Sequence, residues 1–165
     1  MLGYIGLGSN LGDRWGQLRA GLAAMQDRDL ELRERSSVWE TEPVDCPASL
    51  WFLNMAVRVR TDKQPLELLD LLLDIERSAG RVRGAPNAPR ALDLDLLLLD
   101  DLQWRDSRLH LPHPRMWQRR FVLEPLGEIG PDLCDPATGV TVAEARERVR
   151  GRNIVRRLGR LELAV

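Results

Sequence analysis

The chain has 165 residues, 44% of them hydrophobic, and its 24 basic and 25 acidic residues give a formal net charge of −1. These values are typical of one globular domain, which we expect to span residues 1–165, and they exclude fibrous and disordered proteins. The apolar run at 96–99 is far shorter than the ~20 residues that cross a bilayer, and two cysteines without a CxxC pair argue against a zinc site and for a reducing cytoplasm.

The first part of the chain predicts a strand, a helix and two more strands. Residues 4–7 form a short apolar strand, and a turn with glycine at both ends follows at 8–12. Asp13 is a suitable N-cap for a helix whose apolar residues recur at spacings of three and four. Residues 30–41 and 52–60 predict two strands. Alternate residues of the second strand face the core, namely Leu53, Met55, Val57 and Val59.

The second part adds a helix and a strand. Pro65 and Gly80 frame a leucine-rich helix, a loop occupies 81–90, and 92–99 predicts a strand. The resulting βαββαβ order is that of a ferredoxin-like α+β fold, an antiparallel sheet with two helices on one face and the other face available for a site. After residue 110 we expect C-terminal extensions of ordered loops and short helices over that face, with a helix near 143–149. The seven arginines within 146–160 predict a solvated surface.

The strongest sign of chemistry is the sequence PRALDLD at 89–95. Side chains two residues apart in a strand point the same way, about 6.5 Å apart, so Asp93 and Asp95 form a pair of carboxylates. Mg²⁺ commonly binds one or two carboxylates together with phosphate oxygens. A solvent-facing edge strand is the structural alternative for an isolated DxD sequence. The arginine-rich loop before the pair favours metal-bound polyphosphate.

Arginine is concentrated around this carboxylate pair. Of the 24 basic residues 23 are arginine, whose planar guanidinium suits bidentate phosphate contacts. A GC-rich genome explains the overall excess equally well, but it does not explain why 77–90 contains no acid and 105–120 only one. These two segments are therefore expected to be cationic.

Two further groups of residues suggest ligand contacts. Within 110–121, histidines and arginines stand near an aromatic ring, which suits a phosphate or a leaving group. His113 alone has a structural alternative, capping a loop between prolines. Asn54 beside Phe52 offers an amide and a ring face to a flat heterocycle. Gly8-Ser9-Asn10 lacks the lysine of a Walker A loop and is interpreted as a structural turn.

Six short motifs occur in order along the chain: GSNLG at 8–12, TEP at 41–43, FLN at 52–54, GRVR at 80–83, PRALDLD at 89–95 and LPHP at 111–114. Together they resemble the 6-hydroxymethyl-7,8-dihydropterin pyrophosphokinase family of folate biosynthesis, over residues 4 to about 126. The resemblance implies a ferredoxin-like fold, two Mg²⁺ ions, ATP as donor, and transfer of the β,γ-pyrophosphoryl group to the pterin hydroxymethyl oxygen. AMP is the leaving group.

Carried over position by position, the resemblance also implies site residues. Asp93 and Asp95 are the ligands shared by the magnesium ions, and Arg81 and Arg90 are the catalytic residues that steady the transferred group. The nucleotide-binding set is Arg83, Arg90, Arg108, His110, His113 and Arg119. The pterin-binding set is Thr41, Glu42, Val44, Phe52, Asn54 and Phe121. With ATP and the pterin as ligands, we expect a cytoplasmic monomer without a nucleic-acid or membrane partner.

Two other functions compete with this interpretation. Nucleotidyltransferases share a Gly-Ser turn, a DxD pair and Mg²⁺-ATP, but their turn lies shortly before the carboxylates, whereas Ser9 precedes Asp93 by 84 positions. Ferredoxin-like RNA-binding modules place aromatic residues on the central strands. The carboxylates expected here would instead repel a phosphate backbone.

Overall fold

The computed structural model describes residues 1–43, 50–80 and 91–162. Within these ranges the strands are β1 (Leu2–Ser9), β2 (Glu31–Arg35), β3 (Val38–Thr41), β4 (Phe52–Arg60), β5 (Asp93–Leu99), β6 (Trp104–Arg105), β7 (His110–Leu111) and β8 (Val155–Gly159). The helices are α1 (Arg14–Asp27), α2 (Pro65–Ser78), α3 (Arg120–Ile129) and α4 (Val142–Arg148), with a short 3₁₀ helix at Met116–Gln118.

Most of the strands form one antiparallel sheet in the order β5-β1-β4-β3-β8, in which β2 also pairs with β4. Strands β6 and β7 form a separate two-stranded ribbon. The first four positions of the main sheet have the order and directions of the predicted ferredoxin-like fold, which is thereby confirmed.

Each face of the sheet carries its own hydrophobic cluster. Helices α1 and α2 pack on one face against the alternate β4 residues predicted to face the core, and Val57 and Val59 are fully buried there. Helices α3 and α4 pack on the other face against Tyr4, Ala56 and Leu98. No helix in the described ranges is long and apolar enough to cross a membrane.

The predicted helix ends are also confirmed. The Asp13 carboxylate accepts a hydrogen bond from the Gly16 N–H at 3.1 Å and so caps α1. Pro65 is the first residue of α2, and Gly80 follows its C-cap with a φ of +88°, a conformation that glycine adopts without strain. Helix α2 continues to Ser78, beyond the apolar residues that predicted it.

The prediction of a single strand at 30–41 is wrong in one respect, because the structure has two strands there, β2 and β3, with a break between them. Ser36 is fully buried at the break, and its N–H donates to the Ala56 carbonyl at 2.8 Å. The Ser36 hydroxyl accepts from the Ala56 N–H at 2.9 Å and donates to the Ser37 carbonyl at 2.7 Å. At this break the Ser36 hydroxyl takes the place of a backbone carbonyl as the acceptor of the Ala56 N–H. Hydrophobic alternation in the sequence does not predict such a side-chain bond.

Two other boundaries differ from the prediction. Gly8 and Ser9 belong to β1, so the turn predicted at 8–12 begins only after Ser9. The arginine-rich segment 146–160 is more than a solvated surface, because it contains β8, which pairs with β3 at the edge of the sheet. Its arginines are nevertheless largely exposed, as predicted, with Arg156 and Arg157 at 68% and 59%.

Replacing Ser36 with alanine is expected to destabilise the domain by about 1–3 kcal/mol, because the buried Ala56 N–H loses its acceptor. Denaturant unfolding measures the difference. Ser78→Ala is the control, since its hydroxyl bonds to the Asp74 carbonyl on an exposed helix end. If both variants unfold at the same denaturant concentration, the Ser36 hydroxyl does not stabilise the break.

Candidate active site

The two aspartates of β5 lie on the α3 face of the sheet, in register with the neighbouring strands. Asp93 is opposite Gly8 of β1, and Gly8 is in turn opposite Asn54 of β4. Asp95 is opposite Gly6 in the same way. Because residues directly opposite each other share a face, Asp93 and Asn54 stand on one surface, two strands and roughly 10 Å apart.

The glycines of β1 allow neighbouring side chains to lie over this strand, between these polar groups. A Cβ at Gly8 would lie 2.7 Å from the Asn54 Oδ1, so the Asn54 side chain lies across β1 only because residue 8 has none. A Cβ at Gly6 would meet Leu97 at an ordinary 3.6 Å. Gly8 is therefore required for the position of Asn54, and glycine at 6 is not sterically required.

A cleft of about 460 Å³ opens beside the aspartates, within the size range of small-molecule sites. Residues of α2, of β5 and of the segment 106–119 line it. All of the described residues predicted to bind metal or nucleotide are among them, namely Asp93, Asp95, Arg108, His110, His113 and Arg119. The cleft thus combines the predicted carboxylate pair with several cationic or neutral nitrogen donors, and two further acids, Glu76 and Asp106, also line it.

Glu76 of α2 also lines the cleft, although the sequence interpretation did not include it. Its side chain is 2% exposed, and one carboxylate oxygen accepts from the Leu94 N–H at 2.9 Å. Leu94 lies between the two aspartates, and β5 is at the edge of the sheet, so Glu76 supplies the acceptor that a further strand would have supplied. The sequence did contain a signal for this residue. Glu76 follows Leu72 by four positions, so it lies on the buried apolar face of α2, where an acid needs a partner.

Arg108 and Asp106 organise the outer wall of the cleft. The Asp106 carboxylate accepts from the backbone N–H groups of Arg108 and Leu109 at 2.7 and 2.8 Å and from the Trp104 indole at 2.8 Å. The Arg108 N–H bond, the Trp104 bond and then the Leu109 bond lower the pKa of Asp106 below its usual value. The Arg108 guanidinium donates to Asp70 of α2, so it is positioned at the cleft by an exposed ion pair.

His113 is a neutral donor. Burial, with added repulsion from the Arg119 and Arg115 guanidinium groups, lowers the pKa of His113 from 6.5 to about 4. Its Nδ1 accepts from the Arg115 N–H at 3.3 Å, which leaves the proton of the neutral ring on Nε2. The backbone N–H of His113 donates to the Leu97 carbonyl at 2.9 Å and fixes the ring beside β5. The predicted structural role and a ligand-donating role are therefore compatible.

The described residues predicted to bind the pterin lie on or next to β3, β4 and α3, and none of them lines this cleft. Asn54 is 8% exposed, and its amide donates to the Thr41 hydroxyl at 2.6 Å. Thr41 is in turn opposite Phe52, on the same face as Asn54. Phe121 lies at the start of α3, with the Arg119 guanidinium 5.5 Å from its ring centroid. Glu42 is hydrogen-bonded to Asn153 and Ile154 of the C-terminal segment.

Four predicted site residues lie outside the described residues. They are Val44, Arg81, Arg83 and Arg90. In the described ranges no group of three or more histidine, cysteine or acidic side chains is arranged to hold a metal ion, so any metal there would depend on the Asp93 and Asp95 pair and on ligand oxygens.

Comparison with known proteins agrees with the family that the sequence motifs predict. A family model described as 7,8-dihydro-6-hydroxymethylpterin-pyrophosphokinase matches residues 4–131. The Bacillus subtilis protein named 2-amino-4-hydroxy-6-hydroxymethyldihydropteridine pyrophosphokinase is 41% identical over 149 residues, which cover 90% of this chain and 89% of the relative. A protein of the same name from Synechocystis is 40% identical over 146 residues, 88% of this chain and 74% of the relative.

A solved structure described as HPPK-DHPS in complex with substrates superposes with a TM-score of 0.73. The sequences are 13% identical, and the match covers 89% of this chain and 43% of that one. This chain therefore spans less than half of the solved chain. The likeness shows the shared fold of the matching part.

Glu76→Ala is expected to destabilise the domain by about 1–3 kcal/mol, because the Leu94 N–H at the buried sheet edge loses its acceptor. Glu76→Gln keeps a side-chain carbonyl and is expected to lose less. Asp74→Ala on the same helix is the control, since Asp74 is 62% exposed in a surface ion pair. Denaturant unfolding that does not distinguish Glu76→Ala from Asp74→Ala would contradict the role given to Glu76.

The low pKa of His113 predicts a pH-dependent contribution to stability. Between pH 6.5 and about 4 the unfolded chain binds a proton at residue 113 that the folded chain does not, so acidification through this window favours unfolding. His113→Gln removes that term. The free energy of unfolding should therefore fall less steeply from pH 6.5 to 4 in His113→Gln than in the wild type, and parallel curves would show that His113 titrates normally.

Proposed function

This chain belongs to the 7,8-dihydro-6-hydroxymethylpterin-pyrophosphokinase family, and we propose that it transfers pyrophosphate from ATP to the hydroxymethyl group of 6-hydroxymethyl-7,8-dihydropterin in folate biosynthesis. In this reaction the pterin oxygen bonds to the β-phosphorus of ATP, AMP keeps the bridging oxygen, and the hydroxyl proton is released. The observation that carries the proposal is the cleft in which Asp93 and Asp95 lie close to Arg108, His110, His113 and Arg119.

Two Mg²⁺ ions held by Asp93 and Asp95 are part of the proposal. The donor set fits, because two hard oxygen ligands project from one face of β5 into a cleft that also has anion-binding groups. When bound, the ions neutralise phosphate charge and polarise the transferred group. Gly8, opposite Asp93, lets the Asn54 side chain lie across β1 toward the metal ligands.

The nucleotide is proposed to lie along the wall formed by residues 106–119. His113 donates from Nε2 as a neutral ring, and Arg108, His110 and Arg119 supply further donors to phosphate oxygens. Arg83 belongs to the same proposed set. Arg81 and Arg90 are proposed as the catalytic residues that meet the charge developing on the transferred group.

The pterin is proposed to bind on the sheet face beyond Gly8. The Asn54 amide, held by Thr41, offers its remaining polar edge to the ring, and Phe52 and Phe121 offer ring faces. Glu42 and Val44 complete the proposed set with contacts that are largely from the main chain.

The proposal treats residues 1–165 as one pyrophosphokinase domain acting as a monomer in the cytoplasm, where ATP and Mg²⁺ are available. The participation of β8 in the same sheet as β1 supports a single domain that extends beyond the family match.

Incubation of the full chain with ATP, Mg²⁺ and the hydroxymethyl dihydropterin is expected to yield AMP and the pterin diphosphate in equal amounts. Chromatography of both nucleotide and pterin products measures this. Release of inorganic pyrophosphate, with AMP attached to the acceptor, would identify a nucleotidyltransferase and overturn the proposal. The absence of both products would also contradict it.

In the same assay Asp93→Asn and Asp95→Asn are expected to lower turnover by about 10²-fold or more, because each removes a charged metal ligand. Thermal unfolding of each variant checks that the lost turnover does not come from loss of the fold. The control is Asp101→Asn, an exposed position outside the cleft that should retain wild-type activity. Near-normal turnover of either cleft variant at saturating Mg²⁺ would refute the metal assignment.

A further inference from the structure

The C-terminal segment, beyond the family match at 4–131, extends the sheet next to the proposed pterin site. Val155 is opposite Thr41, which is itself opposite Phe52, so β8 adds Val155 to the face on which Asn54 lies. The pairing continues past the end of β3, where the Glu42 N–H donates to the Ile154 carbonyl at 3.0 Å.

A turn just before β8 adds a side-chain contact to Glu42. Asn153 has a φ of +50°, a left-handed conformation that asparagine tolerates better than most residues. In this conformation the Asn153 amide donates to the Glu42 carboxylate at 3.1 Å. Glu42 is therefore held both by its backbone and by its side chain.

The same turn is bonded to the start of α3. The Arg120 guanidinium donates to the Asn153 carbonyl at 2.9 Å and lies 3.5 Å from the Arg152 carbonyl. Arg120 is also paired with Glu124 at 3.2 Å within α3. Asn153 thus connects Glu42, at the end of β3, with Arg120, which precedes Phe121 at the start of α3. These two segments are distant in sequence, and both contribute to the proposed pterin site.

We propose that Asn153 is a positioning residue for the pterin, acting through Glu42 to hold the end of β3 against the start of α3. This inference rests on the proposed function, because it takes Glu42 and Phe121 as part of the pterin site. It adds a residue from a segment outside the region that the family model matches.

The effect should fall on the pterin rather than on ATP. The only side-chain bond that Asn153 makes in the described structure goes to Glu42, whereas α3 is fixed independently by the burial of Val122, Leu123 and Leu126. Neither Asn153 nor Glu42 lines the cleft that holds Asp93 and the described nucleotide-binding residues.

The test compares Asn153→Gly and Asn153→Asp with the wild type. Glycine keeps the positive φ and loses only the amide, while aspartate tolerates the same φ but places a second carboxylate against Glu42. We expect Asn153→Gly to raise the pterin KM about fivefold and Asn153→Asp to raise it further. The ATP KM and kcat should stay within about twofold of the wild type.

Asp29→Gly is the matched control, because Asp29 has a φ of +63° in an exposed turn between α1 and β2. It should leave the pterin KM unchanged. A pterin KM within about twofold of the wild type in Asn153→Gly, or an equal rise in the ATP KM, overturns the proposal. A general loss of folding would raise the KM of both substrates. A rise in the pterin KM alone therefore indicates a positioning role and not a loss of stability.

Glu42→Ala provides the second test. If Asn153 acts through Glu42, adding Asn153→Gly to Glu42→Ala should not raise the pterin KM further, and an additional rise of the same factor overturns the proposal. Calorimetry with the pterin and a non-hydrolysable ATP analogue measures the same effects as binding. A wild type that neither binds nor turns over the pterin refutes the proposed function and this inference together. Wild-type binding that Glu42→Ala weakens and Asn153→Gly does not refutes only the inference.

Discussion

The register of β1 between β4 and β5 is the constraint on which the whole site depends. It places Gly6 and Gly8 opposite Asp95 and Asp93 on one side and opposite Ala56 and Asn54 on the other. Because side chains alternate between faces, a slip of one residue would turn both aspartates into the α1 and α2 core and expose their leucine neighbours. The buried leucines of β5 therefore fix the positions of the carboxylates, and a stability requirement and a functional requirement are met by the same alternation.

The cleft has the carboxylates of β5 on one side and arginines on the other, so a phosphate ligand with its metal ions would bring each group an opposite charge. Asp93 and Asp95 project from the same face of β5, while burial, together with the Arg119 and Arg115 guanidinium groups, lowers the pKa of His113 and keeps it neutral. A polyphosphate with its metal ions would bring positive charge to the aspartates and negative charge to the arginines. The neutral His113 ring donates a hydrogen bond without requiring a further cation in this partly buried wall.

Sequence patterns predicted the parts of this structure that depend on local spacing, and missed those that depend on contacts between distant segments. The carboxylate pair, the core residues of β4, the start of α1 and both ends of α2 follow from periodicity and capping, and all are found. The break at Ser36 and the bond from Leu94 to Glu76 depend on where a strand from elsewhere in the chain runs. The helical stripe of α2 indicates that Glu76 is buried, but no local pattern identifies the N–H to which it bonds. Motif resemblance, by contrast, brought together residues that periodicity alone could not connect, and the cleft contains six of them.

Strand β8 shows why an arginine-rich segment can be part of a sheet. Its sequence, VRRLG, lacks the apolar alternation of an interior strand, and its adjacent arginines point to opposite faces. Arg156 pairs with Glu40, which also binds Arg14 of α1, whereas Arg157 approaches Glu128 of α3 at 3.8 Å. Because Arg156 and Arg157 are exposed, their ion pairs contribute little energy, so the backbone pairing with β3 provides most of the stability and the arginines mainly select the register. A strand at the edge needs polar side chains on both faces to remain soluble, which is the reason its pattern resembles that of a solvated surface.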